Sequence, residues 1–254
     1  MKICYNEFEP SPGLSPFVEC YWLHSFEGGT KEESPVQKCL PIGMYEILFY
    51  LDENVGSILV NGQWELLPRS FFVGIYDNPV EWKMPGNGRL FGIRLKPETF
   101  YRLFDVPAAS LYCAYSELNS FIGTAMESFQ QGIYAKESIE EIIAQTEKYL
   151  ANRLTIMERS RNYIVEAANL IRQAKGNITV EEVSNTVSVG MRQLQRSFKE
   201  SMGTSPKSYV RIIRFRNALT WLNSKSEWSD ITYDLGYADQ AHFIREFRQF
   251  AGEA

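Results

Sequence analysis

The chain writes one helical phrase twice near its C-terminal end, and this repetition limits its fold more than any other feature. The first copy holds Leu194, Arg196, Phe198, Lys199 and Gly203; the second holds Phe243, Arg245, Phe247, Arg248 and Gly252. Counted from the leading Leu or Phe, both place Arg at +2, Phe at +4, a base at +5 and Gly at +9. Side chains four apart share one helix face, so the apolar pair in each copy must bury while the Arg points elsewhere. The Gly suits a left-handed residue that closes the helix. Each copy follows a shorter helix and a turn, and two such pairs read as two helix-turn-helix units.

Charge supports a division of labour. Residues 1–159 carry 13 Lys and Arg against 21 Asp and Glu, a balance of −8, whereas residues 160–254 carry 13 against 10, a balance of +3. An acidic front and a basic back suit a sensor joined to a phosphate-binding module. With 254 residues and 44% apolar content, two packed domains are affordable. The apolar runs Ile47 to Leu51 and Phe71 to Tyr76 are too short to span a membrane. Met1 to Glu7 has no apolar signal core, so a cytoplasmic protein without membrane contact is expected. Cys4, Cys20, Cys39 and Cys113 are scattered, which fits reduced, mostly buried thiols better than a disulfide framework or a zinc site. Neither a cofactor nor a metal is expected.

Residues 1 to about 96 read as β structure. Val18 to Leu23, Tyr45 to Leu51, Ser57 to Val60, Ser70 to Tyr76 and Leu90 to Leu95 are rich in β-branched and aromatic residues. Asn61-Gly62, Asp77-Asn78-Pro79 and Pro85-Gly86-Asn87-Gly88 separate them as turns, with Asn61-Gly62 a tight hairpin. Strands punctuated this way predict a sandwich or small barrel. From Pro97 the pattern turns helical, and over 138–154 Ile139, Ile142, Ile143, Thr146, Tyr149, Leu150 and Leu154 form one stripe. Two partners would satisfy that stripe: the β domain of the same chain, or the same helix of a second subunit in a homodimer.

The back half reads as helices throughout. Arg159 to Ala174 is amphipathic and is stopped by Lys175-Gly176-Asn177. Thr179 and Glu182 form a capping box that opens a short helix to about Thr186. A second helix follows from about Gly190 to Met202, and Ser205-Pro206 caps a long one through Leu222. A short helix starting at Ser229 or Asp230 ends near Gly236, a residue suited to a turn, and Asp239 caps the last helix. Leu194, Phe198, Trp221, Leu235, Phe243 and Phe247 are core candidates.

The segment Gly236-Tyr237-Ala238-Asp239-Gln240-Ala241-His242-Phe243-Ile244-Arg245-Glu246-Phe247-Arg248 closely resembles the signature of AraC/XylS-type transcription regulators. Met191-Arg192-Gln193-Leu194-Gln195-Arg196-Ser197-Phe198-Lys199, with Gly203-Thr204-Ser205-Pro206 behind it, resembles the first helix-turn-helix of that family. This covers about residues 159 to 252. The stretch from Pro10 to Trp22 is similar to the N-terminal domain of one branch of the family.

The resemblance implies an α+β protein. A β-sandwich or barrel-like (cupin-like) domain with trailing helices would occupy residues 1–155. An all-α domain of two helix-turn-helix units joined by a long helix would occupy 156–254. The partner is double-stranded DNA, read in two successive major grooves about 34 Å apart. A small-molecule effector, a homodimer and RNA polymerase are further candidate partners, and regulation of transcription is the implied function.

By position, Arg192, Gln193, Gln195 and Arg196 of the first recognition helix should face bases, as should Gln240, His242, Ile244 and Arg245 of the second. Arg donates twice to guanine, Gln pairs twice with adenine, and Ile meets a thymine methyl. Lys199, Arg211, Arg214 and Arg248 are placed on phosphates, which set register without reading sequence. Arg196 and Arg245 have a rival role, bonding the C-terminal ends of neighbouring helices, and His242 has one as a cap or packing residue.

An effector pocket, if the front domain has one, would be lined by Tyr21, Trp22, Tyr45, Phe49, Trp64, Phe72 and Trp82; otherwise these fill a β core. The front half holds a single histidine, His24, which excludes the metal-binding cupin set. Gly190 stands where the family usually has Ser or Asp, a tolerable cap. The sequence stops at Glu253-Ala254, before the family's usual Ser/Thr-Pro and aromatic, so a looser second recognition helix is expected. Two other readings stay open. One is an enzyme fused to the module, such as a DNA-repair methyl acceptor, which needs a compact four-cysteine zinc site. The other is a front domain that binds a protein.

Overall fold

The computed structural model describes residues 1–29, 31–104, 108, 115–118, 124–156, 163–223 and 235–252. Lys2–Phe8 (β1), Val18–Glu27 (β2), Gly88–Leu95 (β9), Tyr45–Tyr50 (β4), Ser70–Val73 (β7) and Tyr115–Glu117 (β10) form one antiparallel sheet in that order. Gln37–Cys39 (β3), Val80–Lys83 (β8), Ser57–Val60 (β5) and Gln63–Leu66 (β6) form a second. Val60 pairs with Gln63 across Asn61 and Gly62, whose φ angles of 49° and 79° make the expected tight hairpin.

Alternation along the strands sorts the front-domain core into two layers, because successive side chains point to opposite faces. Tyr21, Tyr45, Ile47, Phe49, Phe72, Phe91, Ile93 and Leu95 lie on one face of the larger sheet, under the helices. Trp22, Leu48, Tyr50, Phe71 and Leu90 lie on the other, against Leu67, Trp82 and Met84. The result is a sandwich with a helical layer, the α+β architecture expected. The Trp22 indole covers Gly92 so closely that a Cβ there would overlap the ring. That position also lets Trp22 Nε1–H donate to Glu46 Oε1 at 3.0 Å, an oxygen that Arg94 Nε reaches at 2.9 Å.

Three helices follow the strands: Pro97–Phe104 (α1), Thr124–Tyr134 (α2) and Ile139–Ile156 (α3). Ile142, Thr146 and Leu150 are buried, and Tyr149 stacks on Phe129 of α2 with ring centroids 4.2 Å apart. Ile142, Thr146 and Leu150 of the stripe are thus covered within the chain, and Ile139, Ile143, Tyr149 and Leu154 are partly covered. The boundary expected near residue 155 meets the end of α3, and residues 157–162 lie outside the described residues.

The back half contains Tyr163–Gln173 (α4), Val180–Thr186 (α5), Met191–Met202 (α6), Pro206–Asn223 (α7) and Gln240–Ala251 (α8). Their limits follow local chemistry. Lys175 and Gly176, with φ of 54° and 73°, end α4. Thr179 Oγ1 accepts from the Glu182 N–H at 3.1 Å while Glu182 Oε2 accepts from the Thr179 N–H at 2.7 Å, which opens α5. Ser205 and Asp239 cap α7 and α8 by accepting from the N–H of Ser208 and His242. Gly203 and Gly252, both left-handed, close α6 and α8. The expected start at Arg159 and most of the short helix before Gly236 fall outside the described residues.

One buried core joins the halves. It runs from Tyr45 and Phe72 of the sheet through Phe100 of α1 to Tyr209, Ile212 and Phe215 of α7 and Phe250 of α8. Among the described residues no helix is long and apolar enough to cross a membrane.

Candidate nucleic-acid interface

Each repeat copy folds into a helix with one buried and one polar face. On α6, Leu194, Phe198 and Met202 bury, while Arg192, Gln193, Gln195, Arg196 and Lys199 are exposed. Spacings of four residues carry the apolar side chains inward and leave those between them facing out. The helix is pinned from behind by the Ser197 hydroxyl, 2.6 Å from the Tyr163 hydroxyl of α4. Arg196 makes one exposed pair, with Glu200 one turn on at 3.8 Å, which is too wet to hold it firmly. The face thus presents two guanidiniums, an ammonium and two amides.

On α8 the leading residue of the phrase buries again, while Phe247, the counterpart of Phe198, is half-buried. Phe243, Glu246 and Phe250 are buried, and Gln240, Arg245 and Arg248 are exposed. Ile244 is half-buried against the cluster formed by Ala218, Leu235, Tyr237 and Phe243, so part of its surface is already used. His242 sets its ring edge-on to Tyr237 at 5.3 Å, a packing role. Phe250 is 1% exposed and the Gly252 N–H donates to the Arg248 carbonyl at 2.8 Å, so the last turn of α8 is held from inside the fold.

Two basic residues expected on phosphates point inward. Arg211 Nε donates to Glu246 Oε2 at 2.6 Å, and its Nη2 donates to Gln249 Oε1 at 2.6 Å. Arg214 donates through Nε and Nη2 to the Gly176 carbonyl at 3.1 and 3.0 Å and lies 5.0 Å from the Tyr237 ring centre. The C-terminal carbonyl beyond α4 thus takes its cation from the bridging helix, as carbonyl-rich helix ends favour. Arg211 and Arg214 hold the units together, whereas Arg192 and Lys199 of α6 and Arg245 and Arg248 of α8 are exposed.

Glu246 was not anticipated. It is a carboxylate within a basic helix, yet it lies three residues past Phe243 and four before Phe250, on the buried stripe. That phase is the signal that would have found it. Tyr237 donates to its second oxygen at 3.0 Å, and burial together with Glu246 raises the Tyr237 phenol above its ordinary range. Arg172 was likewise missed: it links α4 to Glu98 of α1, a carboxylate 2% exposed, by a bond of 2.9 Å from Nη1 to Oε2.

The seven aromatics expected to line an effector pocket do not come together. Tyr21, Tyr45, Phe49 and Phe72 belong to the core under the helices, Trp22 and Trp82 to the core between the sheets. Trp64 is 39% exposed on an edge strand, with Lys83 Nζ 4.8 Å from its ring centre. Strand alternation is the reason: neighbours such as Tyr21 and Trp22 cannot face one cavity. Among the described residues no three His, Cys, Asp or Glu side chains converge as a metal site.

Residues 183–254 match the family model of a helix-turn-helix domain, and residues 6–115 match a domain of unknown function, DUF6597. The chain is 36% identical over 72 residues to the lactose operon transcription activator of Staphylococcus xylosus, covering 28% of this chain and 26% of that protein. It is 31% identical over 70 residues to the transcriptional activator RhaS of Escherichia coli O157:H7, covering 27% and 25%. The matched region thus spans about a quarter of the length of these relatives. Among solved structures, ToxT of Vibrio cholerae aligns over 92% of this chain and 96% of its own, at 12% identity and a TM-score of 0.47.

Proposed function

We propose that this chain, whose C-terminal part is a helix-turn-helix domain of the AraC/XylS type, is a sequence-specific DNA-binding regulator of transcription. The division is taken as a regulatory domain over 1–155 and a DNA-binding domain over 156–254. One observation carries the reading: α6 and α8 each bury one stripe of side chains, led by Leu194 and by Phe243, and leave cations and amides exposed on the opposite side. An amphipathic helix with a basic, amide-bearing outer face fits the major groove in width and in chemistry.

In this reading Arg192, Gln195, Arg196, Gln240 and Arg245 address base edges, with Gln193 at the margin and Ile244 offering its free surface to a thymine methyl. Lys199 and Arg248 hold phosphates. Each bidentate pairing discriminates by about 1–3 kcal/mol, roughly tenfold to a hundredfold. His242 packs, and Arg211 and Arg214 brace. The front domain regulates, through a small molecule or self-association, and performs no catalysis. The protein works in the cytoplasm.

The test is selection of genomic DNA fragments by the full chain at two salt concentrations, with Arg196→Ala and Arg245→Ala alongside. The expected result is a bipartite motif about one helical turn in span, from which each variant loses one half. Salt-sensitive binding with no enriched motif would reduce both helices to phosphate holders and sink the base-reading assignment.

A further inference from the structure

We infer that the front domain, through Glu19, Gly43 and Pro79, sets the spacing and angle between the two recognition helices. The geometry of the DNA site is then read by the whole chain and not by its C-terminal domain alone. The inference rests on the DNA-binding reading above and assigns positioning residues to it.

The contacts are spread from one end of the DNA-binding domain to the other. At the end of α6, a methyl placed on Gly203 would lie 2.5 Å from the Ala108 carbonyl oxygen and 2.9 Å from the Tyr45 hydroxyl. Midway along α7, a methyl on Gly43 would lie 3.1 Å from Ile212 and 3.3 Å from Tyr209. Farther along α7, Arg216 forms an ion pair with Glu19 of β2. At the end of α8, a methyl on Gly252 would lie 2.6 Å from Pro79 Cγ.

Helix geometry turns these points into a brace. Tyr209, Ile212 and Arg216 are three and four residues apart, so they share one face of α7 over about two turns. That face rests on the front domain, while Arg211 and Arg214 reach to α8 and to the turn after α4. The front domain therefore touches the end of each recognition helix as well as the helix between them. Moving one unit relative to the other must break a front-domain contact, which a bridging helix acting alone would not require. The interface also pairs charges, at Arg172–Glu98, whose carboxylate is buried, and at Arg216–Glu19, both of whose side chains are partly exposed.

The experiment uses the full chain as wild type, Glu19→Arg, Arg216→Glu and the charge-swapped pair of both. Hydrogen exchange of residues 206–223 and 240–251 is read first and needs no DNA. Binding is then measured to the selected site with its halves moved by one base pair, about 3.4 Å and 34°. Each single variant should exchange faster in both helices. Its preference for the native spacing should fall from roughly tenfold or more to under about threefold, with binding to an isolated half-site unchanged. The swapped pair should restore both properties, which a merely unfolding variant would not. Unchanged exchange in the single variants overturns the inference, and so does faster exchange with the spacing preference intact, since α7 alone would then set the geometry. If wild type selects no sequence at all, the DNA-binding reading fails, while the exchange rates still decide whether the brace exists.

Discussion

Replacing Arg211 with Ala separates bracing from phosphate contact on the bridging helix. The guanidinium donates to Glu246 and Gln249 at 2.6 Å each and lies 5.2 Å from the Phe250 ring centre. Glu246 is only 5% exposed, and without Arg211 its carboxylate keeps a single neutral donor, the Tyr237 hydroxyl at 3.0 Å. Stranding a buried charge in this way costs about 3–5 kcal/mol. Arg211 is 31% exposed, so water enters the vacated space and the lower end, about 3 kcal/mol, applies. Glu246→Ala should cost less, about 1–2 kcal/mol, because the freed guanidinium can turn to solvent. For a chain of this size about 1 kcal/mol moves the melting midpoint by about 2–4 °C, so Arg211→Ala should melt roughly 6–12 °C early. Circular dichroism melting reads that shift, and a salt titration of DNA binding reads the rival role. Loss of a phosphate contact lowers the salt slope by about one and leaves stability alone. An Arg211→Ala chain that melts with wild type and loses that slope would refute the bracing argument.

Two further outcomes are expected in the front domain. Burial pushes the Cys20 thiol up to about 12, and since only the thiolate alkylates, about one molecule in ten thousand is reactive at pH 8. Iodoacetamide should leave Cys20 unmodified in the folded chain and label it after denaturation, as peptide mass mapping would show; prompt labelling of the native protein would contradict its placement. Gly92→Ala should drive the Trp22 ring off the sheet, break its bond to Glu46 and cost about 1–3 kcal/mol. A tryptophan emission spectrum and midpoint both unchanged from wild type would count against that packing.

How much could be read in advance depended on how local the physics was. Helices α6 and α8 and their closing glycines follow from spacings of a few residues, and the Thr179–Glu182 box, the Asp239 cap, Gly203 and Gly252 do as expected. The central strands β2, β4, β5, β7 and β9 announced themselves through β-branched and aromatic content. The strands that escaped were β8 and the four sheet edges, β1, β10, β3 and β6. An edge strand is paired on one side only and is often short or polar, as in Gln63-Trp64-Glu65-Leu66, so its sequence carries little β pattern.

The linear chain, taken alone, specified that Leu194 and Phe198 of α6 and Phe243 of α8 go inward, because the period of a helix is a property of the helix and needs no partner. It could not say what a buried or half-buried polar group would meet. Arg211, Arg214 and Lys199 look alike as basic residues on helices, yet folding sends the first two to Glu246 and the Gly176 carbonyl and leaves the third in water. The same holds for the aromatics, whose type suggested a pocket until strand pairing dealt them to two cores and one exposed edge. Partners 35 to 197 residues apart, such as Arg211 with Glu246 and Glu19 with Arg216, are chosen by how layers stack. Only the tertiary fold decides that, because a charge is assigned by what lies within bonding distance and not by its neighbours along the chain.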